Sequence, residues 1–129
     1  MTATTASDHC LVDSSGWVEY LGDGPKADAF ASFLGHEEAL LVPTIVVYEV
    51  CKKLSLTAGR NAVQRFLSHT FRAREINLDS TLAMEAARVS IANRLGMADA
   101  IIYATAQAYH AVLVTSDIDF QGLPGVIIP

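Results

Sequence analysis

Cysteine is scarce in this chain: among 129 residues there are two, Cys10 and Cys51, with no CxxC spacing and each beside apolar residues. That excludes a disulfide framework, and both thiols are expected to be small buried hydrophobes. The four histidines are scattered, with no HExxH or comparable ligand spacing, so zinc is not expected. No apolar run approaches the ~18 residues that a membrane span needs, and MTATTASDHC lacks the basic start and apolar stretch of a signal peptide. A cytoplasmic protein without a membrane partner is the expectation. Basic residues are also few, 9 against 14 acids for a net charge of −5, which argues against nucleic-acid binding by general electrostatics.

What is abundant is apolar side chain, 51% of the chain, enough for one compact domain over residues 1–129 with residues 1–8 as a frayed tail. The periodicity alternates strands with helices. Strands are expected near 10–13, 39–42 (ended by Pro43), 73–77, 111–115 and 125–128. Helices are expected near 15–21 and 25–35, from Thr44 as N-cap to about Leu56, over 60–70, over 79–95 (capped by Asp79 or Ser80 and closed by Gly96), and over 97–109. Helices of this length between strands imply a parallel sheet covered on both faces.

Four acids abut apolar runs: Asp13 in CLVDSSGW, Glu49 in TIVVYEVC, Asp99 in GMADAIIY and Asp117 in LVTSDIDF. A carboxylate beside buried elements must be paired, protonated or bound to a cation, because desolvating a lone charge costs several kcal/mol. Asp13 ends the first strand and Asp117 follows the fourth, so both lie at the carboxyl edge of the sheet, where open α/β sheets bind ligands. Asp99, in a first helical turn, and Glu49, in a second, can reach that edge. Each acid has a plainer reading as well. Asp13 can cap the Asp-Ser-Ser turn, Asp99 can serve the helix dipole, Asp117 and Asp119 can be turn formers, and Glu49 can pair with Lys53. Their shared address is what favours a divalent-cation site.

Lys52, Lys53, Arg60, Arg65, Arg72 and Arg74 make six of the nine basic residues and precede a single acid, Glu75. They are either a phosphate-contacting surface, with Lys52, Lys53, Arg60 and Arg65 as the contact candidates, or the solvated faces of two helices. The residues alone favour solvation.

The blocks VDSSGWVEY, PTIVVYEVCKKL, LGMADAIIYATA and LVTSDIDFQGLPGVIIP resemble, in order and over nearly the whole chain, the four motifs of PIN-domain ribonucleases. The size and the ending most resemble VapC-type toxins of toxin–antitoxin pairs. This resemblance implies a three-layer α/β sandwich with a parallel sheet of about five strands in the order 3-2-1-4-5. It implies that the catalytic acids Asp13, Glu49, Asp99 and Asp117 bind Mg²⁺ (or Mn²⁺); from the chemistry, Asp13 and Asp99 are expected as direct ligands, Asp117 completing the site or holding a second ion, and Glu49 orienting or deprotonating a water. Ser15 and Thr115 match supporting hydroxyl residues, and Asp119 an accessory acid beside Phe120. The implied partners are an RNA substrate, a cognate VapB-like antitoxin and a second copy in a homodimer.

Hard oxygen ligands suit Mg²⁺ or Mn²⁺, and phosphodiester hydrolysis needs what such an ion supplies. The expected activity is therefore that of a metal-dependent endoribonuclease toxin. A catalytically silent PIN scaffold is the alternative. A receiver-like or dehalogenase-like phosphate-transfer protein fits less well, because Ser15 stands where a dehalogenase needs a second Asp and the last lysine is Lys53.

Overall fold

The computed structural model describes residues 9–129, so the expected tail over 1–8 lies outside the described residues. Five strands, β1 (Cys10–Val12), β2 (Leu40–Pro43), β3 (Arg74–Ile76), β4 (Val112–Val114) and β5 (Val126–Ile127), form one sheet in the order β3-β2-β1-β4-β5. Every pairing is parallel. The expected order is met. Between the strands run α1 (Ser14–Leu21), α2 (Ala27–Leu34), α3 (Thr44–Thr57), α4 (Arg60–Thr70), α5 (Ser80–Asn93) and α6 (Met97–Ala108).

The strand order dictates the layers. The β1–β2 and β2–β3 crossovers step one way across the sheet, and β3–β4 steps back. Right-handed crossovers therefore put α1–α4 on one face and α5–α6 on the other. Helix packing agrees: α1 packs on α2, α3 and α4, while α5 packs on α6. The three central strands β1, β2 and β4 are short and apolar, and Leu11, Val12, Leu40, Leu41, Val42, Leu113 and Val114 are all within 1% of full burial, while the edge strand β3 exposes Arg74 and Glu75. Helix α6 is buried without interruption from Ala100 to Ala106, as a helix wedged between sheet and α5 must be. Opposite it, the Trp17 and Phe66 rings meet edge to face at 5.0 Å and lock α1 to α4. Phe30 is core and Phe33 packs half-buried against it.

The element ends differ from expectation in ways that have local causes. Pro43 does not follow β2 but ends it, pairing in register with Ile76. Its backbone (φ −63°, ψ 145°) is extended, so it serves both as last strand residue and as cap position of α3. Thr44 is thus the first helical residue, not the N-cap, and Ala39 belongs to a 3-10 turn over Glu37–Ala39. Asp79 does cap α5, its carboxylate accepting from the Leu82 amide at 2.9 Å. Gly96 does not close that helix. Arg94 does, in the left-handed conformation (φ 57°, ψ 42°), because the chain must turn early enough to return Leu95 to the core. Gly96 instead stands at the N-cap of α6. Both cysteines are free and half-buried at the core margin, and burial pushes the Cys10 thiol up to about 11.

Candidate active site

The crevice between β1 and β4 is the switch point of the sheet, and the chain leaving each strand carries the site. After Val12, Asp13 is 3% exposed; its amide donates to Val114 O at 2.9 Å, tying the two strand ends together. Its Oδ1 accepts from the Ser14 amide at 2.7 Å, and its Oδ2 accepts from Thr115 Oγ1 at 2.8 Å. Asp13 therefore caps α1 and also presents its carboxylate at the sheet edge. The two readings of that residue are not exclusive.

The hydroxyls do the positioning. Thr115, fully buried, donates to Asp13 and accepts from the Asp117 amide at 2.9 Å, so one side chain sets two acids. Ser15 Oγ lies 3.4 Å from Asp13 Oδ2 and from Thr115 Oγ1, and accepts from the Ser116 amide at 3.1 Å. It bridges α1 to the turn after β4. Gly16 allows α1 to sit this low: a Cβ there would fall 2.6 Å from Val12 Cγ1 and 2.7 Å from the Phe30 ring.

A depression of about 470 Å³ opens here, lined by Asp13, Ser14, Ser15, Val18, Glu19, Glu49, Lys53, Asp99, Ser116 and Asp117. All four acids singled out from the sequence line it. The tightest group is different. Carboxylate oxygens of Asp99, Asp117 and Asp119 lie within 4.8 Å of one another, and Asp13 is not in that group. Asp117 Oδ1 also accepts from the Asp119 amide at 2.9 Å, which caps the 3-10 turn Ile118–Phe120 and folds Asp119 back towards Asp99. Phe120 is buried beneath the turn.

The acids are short of counter-charge. Among the described residues none of these carboxylates forms an ion pair. Burial, and then the charges of Asp117, Asp13, Glu49 and Asp119, push the Asp99 carboxyl from 3.8 up to about 6. Asp13 is raised by burial, opposed by its bonds from Thr115 and Ser14, with Asp117 adding repulsion. Glu49 is raised by burial, eased by Ser14, with Asp13 repelling it. Such a cluster holds charge it does not neutralise.

The donor set fits a hard divalent cation: all-oxygen ligands from three carboxylates, spaced about the width of two metal–oxygen bonds. A larger depression of about 530 Å³ on the outer side of α4, between Gln64, Leu67, Ser68, Phe71 and Arg72, contains no acid and no comparable convergence.

A model of the PIN domain matches residues 10–126. The chain belongs to the PIN-domain family. Among solved structures this PIN chain is similar to a toxin–antitoxin complex from Klebsiella pneumoniae, at 26% identity and a TM-score of 0.78, covering 93% of this chain and 97% of that one. It is also similar to DNA-bound VapBC from Salmonella typhimurium (16% identity, TM-score 0.75, 94% and 96% covered). A third is the sarcin–ricin-loop-cleaving toxin VapC20 of Mycobacterium tuberculosis (14% identity, TM-score 0.76, 92% and 98% covered). The resemblance to VapC-type toxins read from the motifs is met in these neighbours. No curated protein matches the chain significantly.

The basic segment of the PIN domain does not assemble in one place. Lys53 lines the acid depression, and Lys52 Nζ stands 5.8 Å over the Tyr48 ring. Arg72 lies 3.5 Å from Glu37, and Arg74 stacks on Tyr109 at 5.1 Å. Arg60 and Arg65 are exposed on α4. Sequence reasoning missed Glu19 in the lining, which helical spacing from Ser15 (i, i+4) could have found. It also missed Ser116 and Gly16; a glycine inside a predicted helix was the available signal for the latter.

Proposed function

We propose that this chain is an endoribonuclease toxin of a type II toxin–antitoxin pair that hydrolyses RNA phosphodiester bonds with Mg²⁺ (or Mn²⁺). The observation that carries the reading is the convergence of Asp13, Glu49, Asp99 and Asp117 on one depression, with Asp119 beside them and no ion-pair partner among the described residues. Unpaired carboxylates repel each other and a polyanionic substrate, so the cluster makes sense when a cation joins them. The antitoxin partner is proposed from the solved neighbours that are toxin–antitoxin complexes.

Asp99, Asp117 and Asp119 would hold the cation, with Asp13 supporting it from below. A divalent ion bound there supplies charge stabilisation at the phosphoryl oxygens and a more acidic water. The chain supplies the rest. Glu49, its carboxyl raised by burial, accepts the proton of the attacking water. Lys53, on the same wall, offers its ammonium to a phosphate oxygen. Ser15 and Thr115 keep Asp13 and Asp117 in place through the exchange of charge.

The test is cleavage of cellular RNA by the purified chain with Mg²⁺, with EDTA, and in the Asp99→Asn variant. Cleavage is expected in the first case only, and sequencing the new RNA ends would identify the substrate. Cleavage that persists in EDTA, or undiminished in Asp99→Asn at limiting Mg²⁺, rejects the reading.

A further inference from the structure

Helix α3 carries two side-chain rows near the depression. Val46, Val50 and Leu54 mark its buried face, and Glu49 and Lys53, one turn apart, line the acid depression. Tyr48 and Lys52, also one turn apart, stand further round towards solvent; Tyr48 is 60% exposed and its ring lies under the Lys52 ammonium. The sequence offered no reason for an aromatic side chain to be exposed there.

We infer that Tyr48 and Lys52 form a nucleotide subsite beside the acid depression, where the Tyr48 ring stacks the base next to the scissile phosphate and Lys52 contacts the phosphate chain. This inference rests on the ribonuclease reading above. Its ground is the charge of the walls. The α1 wall carries Glu19, and the opposite wall and floor carry Asp99, Asp117 and Asp13; Lys53 on α3 is the one basic side chain among the described lining residues. A polyanion held at the acids is repelled on those sides and attracted over α3. Once past Lys53 it meets Lys52 and Tyr48 next.

An exposed ring carrying a cation suits a single-stranded nucleotide, because every base has a face to stack and the ammonium answers the phosphate. The other strongly exposed aromatic residue, Phe71, cannot serve: it precedes β3, at the amino edge of the sheet, away from the acids, and its neighbour Arg72 faces Glu37. An RNA ligand, and not a protein, is favoured because the lysines nearest the acids, Lys53 in the depression and Lys52 over the Tyr48 ring, both stand on α3 beside an exposed base-sized ring.

The experiment measures binding of a fluorescein-labelled single-stranded RNA of mixed sequence, and of an abasic strand of equal length, by anisotropy in Ca²⁺. Tyr48→Ala is expected to weaken RNA binding by about tenfold and to leave abasic-strand binding unchanged, while Tyr48→Phe stays within about twofold of the parent. Lys52→Gln should lower the salt dependence by about one unit of slope on both strands. Tyr48 is exposed, so folding should be unaffected, and equal melting temperatures would confirm it. Unchanged RNA binding by Tyr48→Ala overturns the inference, as does an equal loss on the abasic strand or a loss of antitoxin affinity alone. If Asp99→Asn still abolishes cleavage, the ribonuclease reading survives that failure. If the parent chain neither binds nor cuts RNA, both fall.

Discussion

The acids and the bases of this chain behave oppositely. Asp13, Glu49, Asp99 and Asp117 are spread over more than a hundred positions and meet in one depression. Lys52, Lys53, Arg60, Arg65, Arg72 and Arg74 fall within one short segment and are parted by the fold: one into the depression, one onto Tyr48, one onto Glu37, one onto Tyr109, and two into solvent. Nearness in sequence is a poor guide to a shared surface on helices, because successive residues turn by about 100°. Strand ends in a parallel sheet do the reverse, delivering distant residues to one edge.

The acid half of this contrast is tested hardest by separating Asp117 from Asp119. Asp117→Ala is expected to reduce RNA turnover by at least ~10²-fold and also to lower the melting temperature, since it removes the cap of the Ile118–Phe120 turn, worth about 1 kcal/mol. Asp119→Ala should reduce turnover with little change in melting, because Asp119 is exposed and caps nothing among the described bonds. The sequence offered both residues as turn formers, and the hydrogen bond gives that role to Asp117. Turnover and melting curves on both variants decide it, and an Asp119→Ala protein that melts early but turns over normally would make Asp119 the turn former and not a ligand.

Next in size is Gly16→Ala. Its new methyl would meet Val12 and Phe30, and the overpacking should cost about 1–3 kcal/mol in a denaturant titration. An unchanged midpoint would mean that α1 can shift, and with it the Asp13–Ser15 geometry.

A third test uses pH. The Asp99 carboxyl is raised in the folded chain from 3.8 to about 6, and Asp13 and Glu49 are raised in the same direction. Between about pH 4 and pH 6 the folded chain holds protons that the unfolded chain has lost, so stability falls as pH rises through that window. In EDTA the protein should melt higher near pH 5 than near pH 7, and Mg²⁺ should close the gap by stabilising the charged acids. A melting temperature that rises with pH in EDTA would show that the acids already have cationic partners.

The smallest expected effect belongs to the scattered bases. Neutralising Arg60 and Arg65 together should weaken RNA binding modestly and flatten its salt dependence by about one unit of slope for each phosphate the two arginines had neutralised. An unchanged slope would return both to plain solvation.

The parallel order of strands and helices, and the identity of the acids at the strand ends, were legible in the sequence. Hydrophobic periodicity and the motif blocks are local signals, and β1 ending in Asp13 or β4 leading to Asp117 follows from them directly. Which oxygens come within bonding distance was settled only by the folded chain. That Asp119 and not Asp13 joins Asp99 and Asp117 in one group depends on Thr115 holding Asp13 at the strand end while the Asp117 cap folds Asp119 back towards Asp99. Packing likewise made Arg94 the end of α5, because the burial of Leu95 outweighed the easier turn at Gly96. Hydrogen bonds between residues a hundred positions apart, and the packing of a shared core, set these outcomes, and no local pattern encodes them.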